Sequence, residues 1–415
     1  MRTETPPSDL HLAAAGMIAL AVAMGIGRFA FTPILPLMQA DMGLTLVQGG
    51  WLASANYLGY LVGAVAATRR GPSPATLLRA GLVLVVATTG WMAFAASPLP
   101  WAAARFVAGV ASAWVLVGTA ALSLGRLART GRSQLSGIVF AGVGAGIAVA
   151  GLLCHIMGSA GWHSRTIWWA LALAAGLGAV LAWYGTLERG RPRLEAAERG
   201  APVAAGARES TPAATTIAGG GIERSAPTAG GPILVLCYGL FGFGYILPAT
   251  FLPAQARALI ADPAVFGWVW PAFGLAAMAS TLLAARRGGA SGRRGRWATA
   301  QLVMAAGVLL PAMWGSLAAL VLAALCVGGT FMVVTMLGLQ EARTVAGANA
   351  QQLMAAMTAA FAIGQLLGPL LVSAMSAFGW SIDAALMLAA ACLVASTLLL
   401  RWSGRSTLHA QEEAR

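Results

Sequence analysis

Apolar runs of about twenty or more residues, with few or no charges, recur along this chain between short polar stretches. Each run is long enough to cross a hydrocarbon layer of about 30 Å as a helix. The pattern predicts twelve such helices, six in each half. The first six are Leu12 to Met38, Leu46 to Thr68, Ala75 to Ala96, Pro100 to Leu124, Ser133 to Met157 and His163 to Leu187. The second six are Pro232 to Ala256, Ala264 to Ala285, Arg296 to Trp314, Ser316 to Gln340, Asn349 to Ser376 and Trp380 to Arg401. Between the sets, Glu188 to Gly231 is rich in Arg, Glu, Ala, Gly, Pro and Thr, with too few large apolar residues to bury a core. It reads as a disordered cytoplasmic linker. The predicted fold is an all-α membrane protein: a six-helix half over 1–187, a linker over 188–231, and a second half over 232–415 with a short cytoplasmic tail.

The halves repeat one another. GIGRFAFTPILP, Gly25 to Pro36, recurs without a gap as GFGYILPATFLP, Gly242 to Pro253, an offset of 217 residues. The same offset carries Gly50-Trp51 onto Gly267-Trp268 and Arg69-Arg70-Gly71 onto Arg286-Arg287-Gly288. One difference stands out: Arg28 lies inside the first apolar run, where the second copy has Tyr245.

Of the 415 residues 59% are hydrophobic and 9% charged, against about 25% charged in an ordinary soluble domain. The net charge of +13 could suggest nucleic acid, but phosphate-binding residues should cluster on one folded face. Here, with the N-terminus placed in the cytoplasm, 22 of the 26 basic residues, all arginine, fall in inner segments. Only Arg165 and Arg257 fall in outer loops, and Arg28 and Arg105 inside helices. This bias predicts that both termini are cytoplasmic and argues against nucleic-acid binding. Cys154, Cys237, Cys326 and Cys392 are scattered one to an apolar run, so neither disulfides nor a metal site is expected. The first apolar run is too long for a signal-peptide core and is expected to stay on the protein.

An arginine near mid-membrane costs a few kcal/mol even on the mildest insertion scale, so Arg28 must face a cavity, a partner or water. It lies about 24 Å, at helical rise, from the cytoplasmic end of its helix, too far to snorkel easily. Arg105 is closer to the outer end of the fourth helix, where snorkelling is open to it. Asp41, Asp262, Asp383 and Glu341 fall in loops or at helix ends, so none neutralises Arg28 at its own depth. A buried cation without a carboxylate attracts an anion. Asn56 and Tyr60, four apart on one helix face, together with Tyr57, Tyr245, Thr250, Thr330 and Gln365, supply the other mid-span polar groups. Each alone is equally at home in helix packing. The predicted substrate-binding set is Arg28, Asn56, Tyr60, Arg105, Tyr245, Thr330 and Gln365. His155 has no acid or second histidine near it in sequence, and no nucleophile-base pair or phosphate loop occurs, so neither an enzyme nor a cofactor is expected.

Two six-helix repeats joined by a charged linker resemble the major facilitator superfamily over essentially the whole chain. Arg105 to Gly109 is similar to its R-x-x-q-G signature, and Gly142, Gly144 and Gly146 to its glycine-rich antiporter motif. GIGRFAFTPILPLM, ANYLGYLVGA, GFGYILPATFLP, GGTF at Gly328 to Phe331 and GQLLGP at Gly364 to Pro369 resemble the bacterial YbfB/YjiJ-type branch. The loop after the second helix departs from the pattern: Ala67 stands where the superfamily has an acid, leaving only Arg69 and Arg70 of the charge pattern. The antiporter motif also lacks its usual proline. The resemblance implies a secondary transporter of the bacterial cytoplasmic membrane, with halves that rock about a midplane site lined by the first, second, fourth and fifth helices of each. Its expected partners are the bilayer, a small organic solute with an anionic group, and a proton or counter-anion, with the chain acting as a monomer. The alternative is broad efflux of hydrophobic or cationic drugs, which fits the apolar interior but lacks a mid-span carboxylate.

The arginine bias makes a topological prediction. In a background without the four native cysteines, single cysteines at Gly43 and Ser159 should react with an impermeant thiol reagent from outside, while ones at Ser73 and Ala213 should not. Reversed labelling would overturn the orientation.

Overall fold

The structure, a computed structural model, describes residues 9–69, 72–187, 230–259, 267–286 and 292–412. Among these the chain forms twelve long helices and no strand. They are α1 (Asp9–Met42), α2 (Leu46–Thr68), α3 (Pro74–Phe94), α4 (Pro98–Arg129), α5 (Ser136–Ser159) and α6 (Ser164–Leu187). The second half holds α7 (Gly231–Leu259), α8 (Val269–Arg286), α9 (Arg293–Met313), α10 (Leu317–Ala346), α11 (Ala350–Ala377) and α12 (Ile382–Glu412). The expected linker, apart from its last two residues, lies outside the described residues.

Nine stretches of the described chain are long and apolar enough to cross a membrane, and one of them, Leu317–Val372, takes in both α10 and α11. The two helices outside this set interrupt their apolar runs with polar residues: Asn56, Tyr57 and Tyr60 in α2, Arg296 and Gln301 in α9. Several helices run beyond their expected ends. Helix α10 continues to Ala346 rather than Gln340 and α12 to Glu412 rather than Arg401. Hydropathy registers only the apolar part of a helix, whereas the backbone ladder continues wherever good helix formers and ion pairs sustain it. In α10 that extension carries Glu341, which pairs with Arg294 at 2.7 Å and Arg293 at 3.4 Å.

The neighbour relations repeat as the sequence does. Helix α4 packs on α2 and α3, α6 on α1 and α3, and α5 on α1; in the second half α10 packs on α8 and α9, α12 on α7 and α9, and α11 on α7. The halves join through α5 against α8 and α2 against α11.

Glycine makes these crossings close enough for backbone to meet backbone. A methyl group added at Gly142 would lie 2.0 Å from the Met17 carbonyl oxygen, and one at Gly25 would lie 2.3 Å from Cα of Gly146, so the expected ridge on α5 seats α1. The repeat reproduces the arrangement: a methyl at Gly242 would lie 2.3 Å from the Phe361 carbonyl oxygen, and one at Gly364 the same distance from that of Gly239. Gly144, on another face of α5, meets Gly274 of α8 across the halves.

The arginine-rich ends of the helices are tied together. Asp9 accepts from Arg126 at 2.9 Å. Ala67, at the position of the missing acid, lies in a buried apolar seam with Leu77, Val117 and Ala355, the last from the opposite half. Around it Gln340 donates to the Ser136 hydroxyl at 2.6 Å and Gln351 to the Pro72 carbonyl at 3.3 Å. Among the described residues these contacts between the halves are neutral, where the superfamily pattern has an acid.

These contacts predict that Gly142→Leu abolishes a monodisperse, folded peak in detergent, because two backbones would have to separate. Gly50→Leu, at a position with open space around it, should leave that peak intact. Equal behaviour of the two on size-exclusion chromatography would refute the close crossing.

Candidate functional site

Midway along α1 the helix widens into π-helical winding over Ala21–Phe29, AVAMGIGRF. Such wide turns are rare overall but frequent at functional sites. Helix α4 supplies donors along this stretch: Ser112 Oγ donates to the Ala23 carbonyl at 2.8 Å, and Arg105 donates through Nη1 to Gly27 O at 2.8 Å and through Nη2 to Arg28 O at 2.9 Å. Arg105 is 4% exposed and its guanidinium also lies 4.8 Å from the Phe31 ring centroid. The snorkelling open to it from sequence is not what it does; it turns inward because the altered winding of α1 presents carbonyls that a fork of N–H donors can take together. Asn56 completes this layer by donating to the Arg105 carbonyl at 2.9 Å.

Held in this way, the Arg28 side chain extends between the halves and is 3% exposed. Its Nη2 donates to Gln365 Oε1 on α11. Its guanidinium carbon lies 3.9 Å from the Tyr60 ring centroid, 5.5 Å from that of Tyr57 and 5.6 Å from that of Phe29, the arrangement in which ring faces attract a cation. Arg28 Nε, Arg28 Nη1 and Gln365 Nε2 are buried with no hydrogen-bond partner among the described residues. A guanidinium offers a carboxylate two edges, and Nη2 belongs to both; with Gln365 on one, the other is left to a ligand.

The described acids are engaged or peripheral. Asp9 and Glu341 sit in the ion pairs above, Asp41 accepts from the Ser164 hydroxyl at 2.7 Å at a helix junction, and Asp383 stands in the first turn of α12. None of them reaches Arg28.

The predicted residues therefore separate into three groups. Arg28, Tyr60 and Gln365 meet directly. Arg105 lies behind Arg28 and holds its backbone carbonyl, and Asn56 in turn bonds the Arg105 carbonyl. Tyr245 and Thr330 stand apart from the guanidinium: Tyr245 stacks on Phe331, with centroids 5.2 Å apart and planes at 19°, while the Thr330 hydroxyl bonds back to the Cys326 carbonyl at 2.5 Å within its own helix. His155 lies elsewhere, with its ring 5.1 Å from Trp268. Phe29 and Phe331 were absent from the predicted set. Their rings meet at 6.2 Å across the halves, and the available signal was their position inside GIGRF, part of the repeated stretch, and GGTF, one of the segments that carry the family resemblance.

Comparison with known proteins follows this geometry. The family described as "Uncharacterised MFS-type transporter YbfB" matches residues 20–401. Among curated proteins no sequence match was found. Among solved structures, the human organic anion transporter MFSD10 (TETRAN) superposes with a TM-score of 0.69 at 14% identity, covering 95% of this chain and 100% of that one; at such identity the likeness is one of fold.

If Arg105 holds α1 in place, Arg105→Leu forfeits two charge-assisted bonds of about 1.5–3 kcal/mol each and lowers the thermal midpoint of the detergent-solubilised protein. Arg105→Lys, able to reach fewer carbonyls, should fall between. Equal midpoints for all three proteins would show that the π-helical stretch holds itself.

Proposed function

The chain belongs to the YbfB-type family of the major facilitator superfamily, and from that premise we propose that it moves a small organic anion by alternating access, with Arg28 as the residue that holds the charge. Membership makes it a membrane transporter and not an enzyme. The observation that carries the anion reading is a nearly inaccessible guanidinium with two nitrogens lacking partners and no carboxylate among the described residues to neutralise it. In a low-dielectric interior an uncompensated cation is costly, and a ligand carboxylate completes the pair.

The geometry also suggests how binding would couple to movement. Arg28 rides on the first half and Gln365 on the second, so their bond spans the interface that alternating access opens and closes. An anion on the free edge of Arg28, with Gln365 Nε2 as a further donor, engages both halves together. Exchange of one anion for another, or entry of a proton on the substrate itself, fits a site without an acid of its own. The orientation that places both termini in the cytoplasm, and the bacterial cytoplasmic membrane as its location, belong to the same proposal and rest on the arginine bias. Efflux of cationic drugs is disfavoured, since a bare arginine would repel them.

Arg28→Gln is the decisive variant. It should remove ligand-induced thermal stabilisation and proteoliposome uptake of an anionic substrate while the protein stays monodisperse. Arg28→Lys should keep partial activity, because an ammonium retains the charge but not the planar fork. A well-folded Arg28→Gln protein transporting the anion at the wild-type rate would sink the site. A variant that fails to insert would make Arg28 a structural arginine.

A further inference from the structure

Two contacts between the halves lie side by side on one turn of α1. Arg28 reaches Gln365, and its neighbour Phe29 sets its ring on Phe331, centroids 6.2 Å apart and planes at 79°. One contact is polar and charged; the other is ring upon ring. Phe331 is itself the middle of a stack: Tyr245 lies on it at 5.2 Å and 19°, Phe273 at 5.5 Å and 23°. Phe29 and Phe273 are half-buried while Phe331 and Tyr245 are buried, so the rings that keep accessible surface flank those that do not. Tyr60 and Tyr57 close the other side of the guanidinium.

A substrate that enters between the halves meets both contacts. The charge of Arg28 selects a carboxylate, and the Phe29–Phe331 pairing selects what adjoins that carboxylate. We propose that the substrate class is an aromatic monocarboxylate, its carboxylate on the free edge of Arg28 and its ring against Phe331 where Phe29 now packs. This rests on the anion reading above and narrows it. Aromatic rings favour offset-stacked and edge-to-face partners over aliphatic groups of similar area, and the Tyr245–Phe331–Phe273 stack presents such a partner. Gln365 Nε2, buried and without an acceptor, adds a donor beside the carboxylate.

The test compares three ligands of similar size on the purified full-length protein, by thermal shift and by calorimetric titration: benzoate, cyclohexanecarboxylate and benzamide. Benzoate should stabilise the protein by mass action, cyclohexanecarboxylate should bind about three- to tenfold more weakly, and benzamide should have no effect. Phe331→Leu, which keeps an apolar side chain, should erase the preference for benzoate while leaving cyclohexanecarboxylate binding in place. Phe29→Leu makes the same comparison from the other half should the first variant not fold. Arg28→Gln should lose both acids. Equal binding of the two acids to the wild-type protein would overturn the aromatic assignment and leave the anion reading standing. Benzamide binding as tightly as benzoate would overturn the anion reading itself, and a protein that responds to none of the three would overturn both.

Discussion

A guanidinium in the middle of a membrane protein has to be compensated, and much of the local architecture follows from how this chain does so for Arg28. Rings cover one face of the cation, an amide from the opposite half takes one of its nitrogens, and its backbone is fixed from behind by Arg105. The last device requires α1 to present carbonyls sideways, which a regular α-helix does not do. The π-helical winding meets that need, and glycines at 25 and 27 let the widened stretch lie against its neighbours. Position, winding and packing are therefore one constraint expressed at three scales.

Much of this was legible before any coordinates. Twelve apolar runs and a 217-residue offset are signals of length and register, and neither depends on knowing which side chains touch. The singularity of Arg28 was legible for a related reason, since one charge inside an apolar repeat breaks the symmetry of the copies. The close-packing ridge on α5 could also be read, because close crossings leave only glycine as an option at fixed spacing, but not that α1 is the helix it seats.

What could not be read was direction. Arg105 sits near enough to an aqueous surface for its side chain to reach water, and only the carbonyls offered by the neighbouring helix turn it inward. Gln365 lies 337 residues from Arg28, so nothing local marks it as a partner. Thr330 shows the converse: a hydroxyl at the right depth can be spent on its own helix. The helix ends were misjudged where ion pairs such as Glu341 with Arg294 extend a helix past its apolar part, because hydropathy measures affinity for lipid and not helix length.

The apolar seam at Ala67 has its own consequence. A latch built on a carboxylate weakens as that carboxylate titrates, and salt screens it. One built, among the described residues, from alanine, leucine, valine and two amide hydrogen bonds has no acid in it. On that side of the protein, the contact between the halves depends on dehydration and shape, and so on temperature and lateral pressure from the lipid more than on pH.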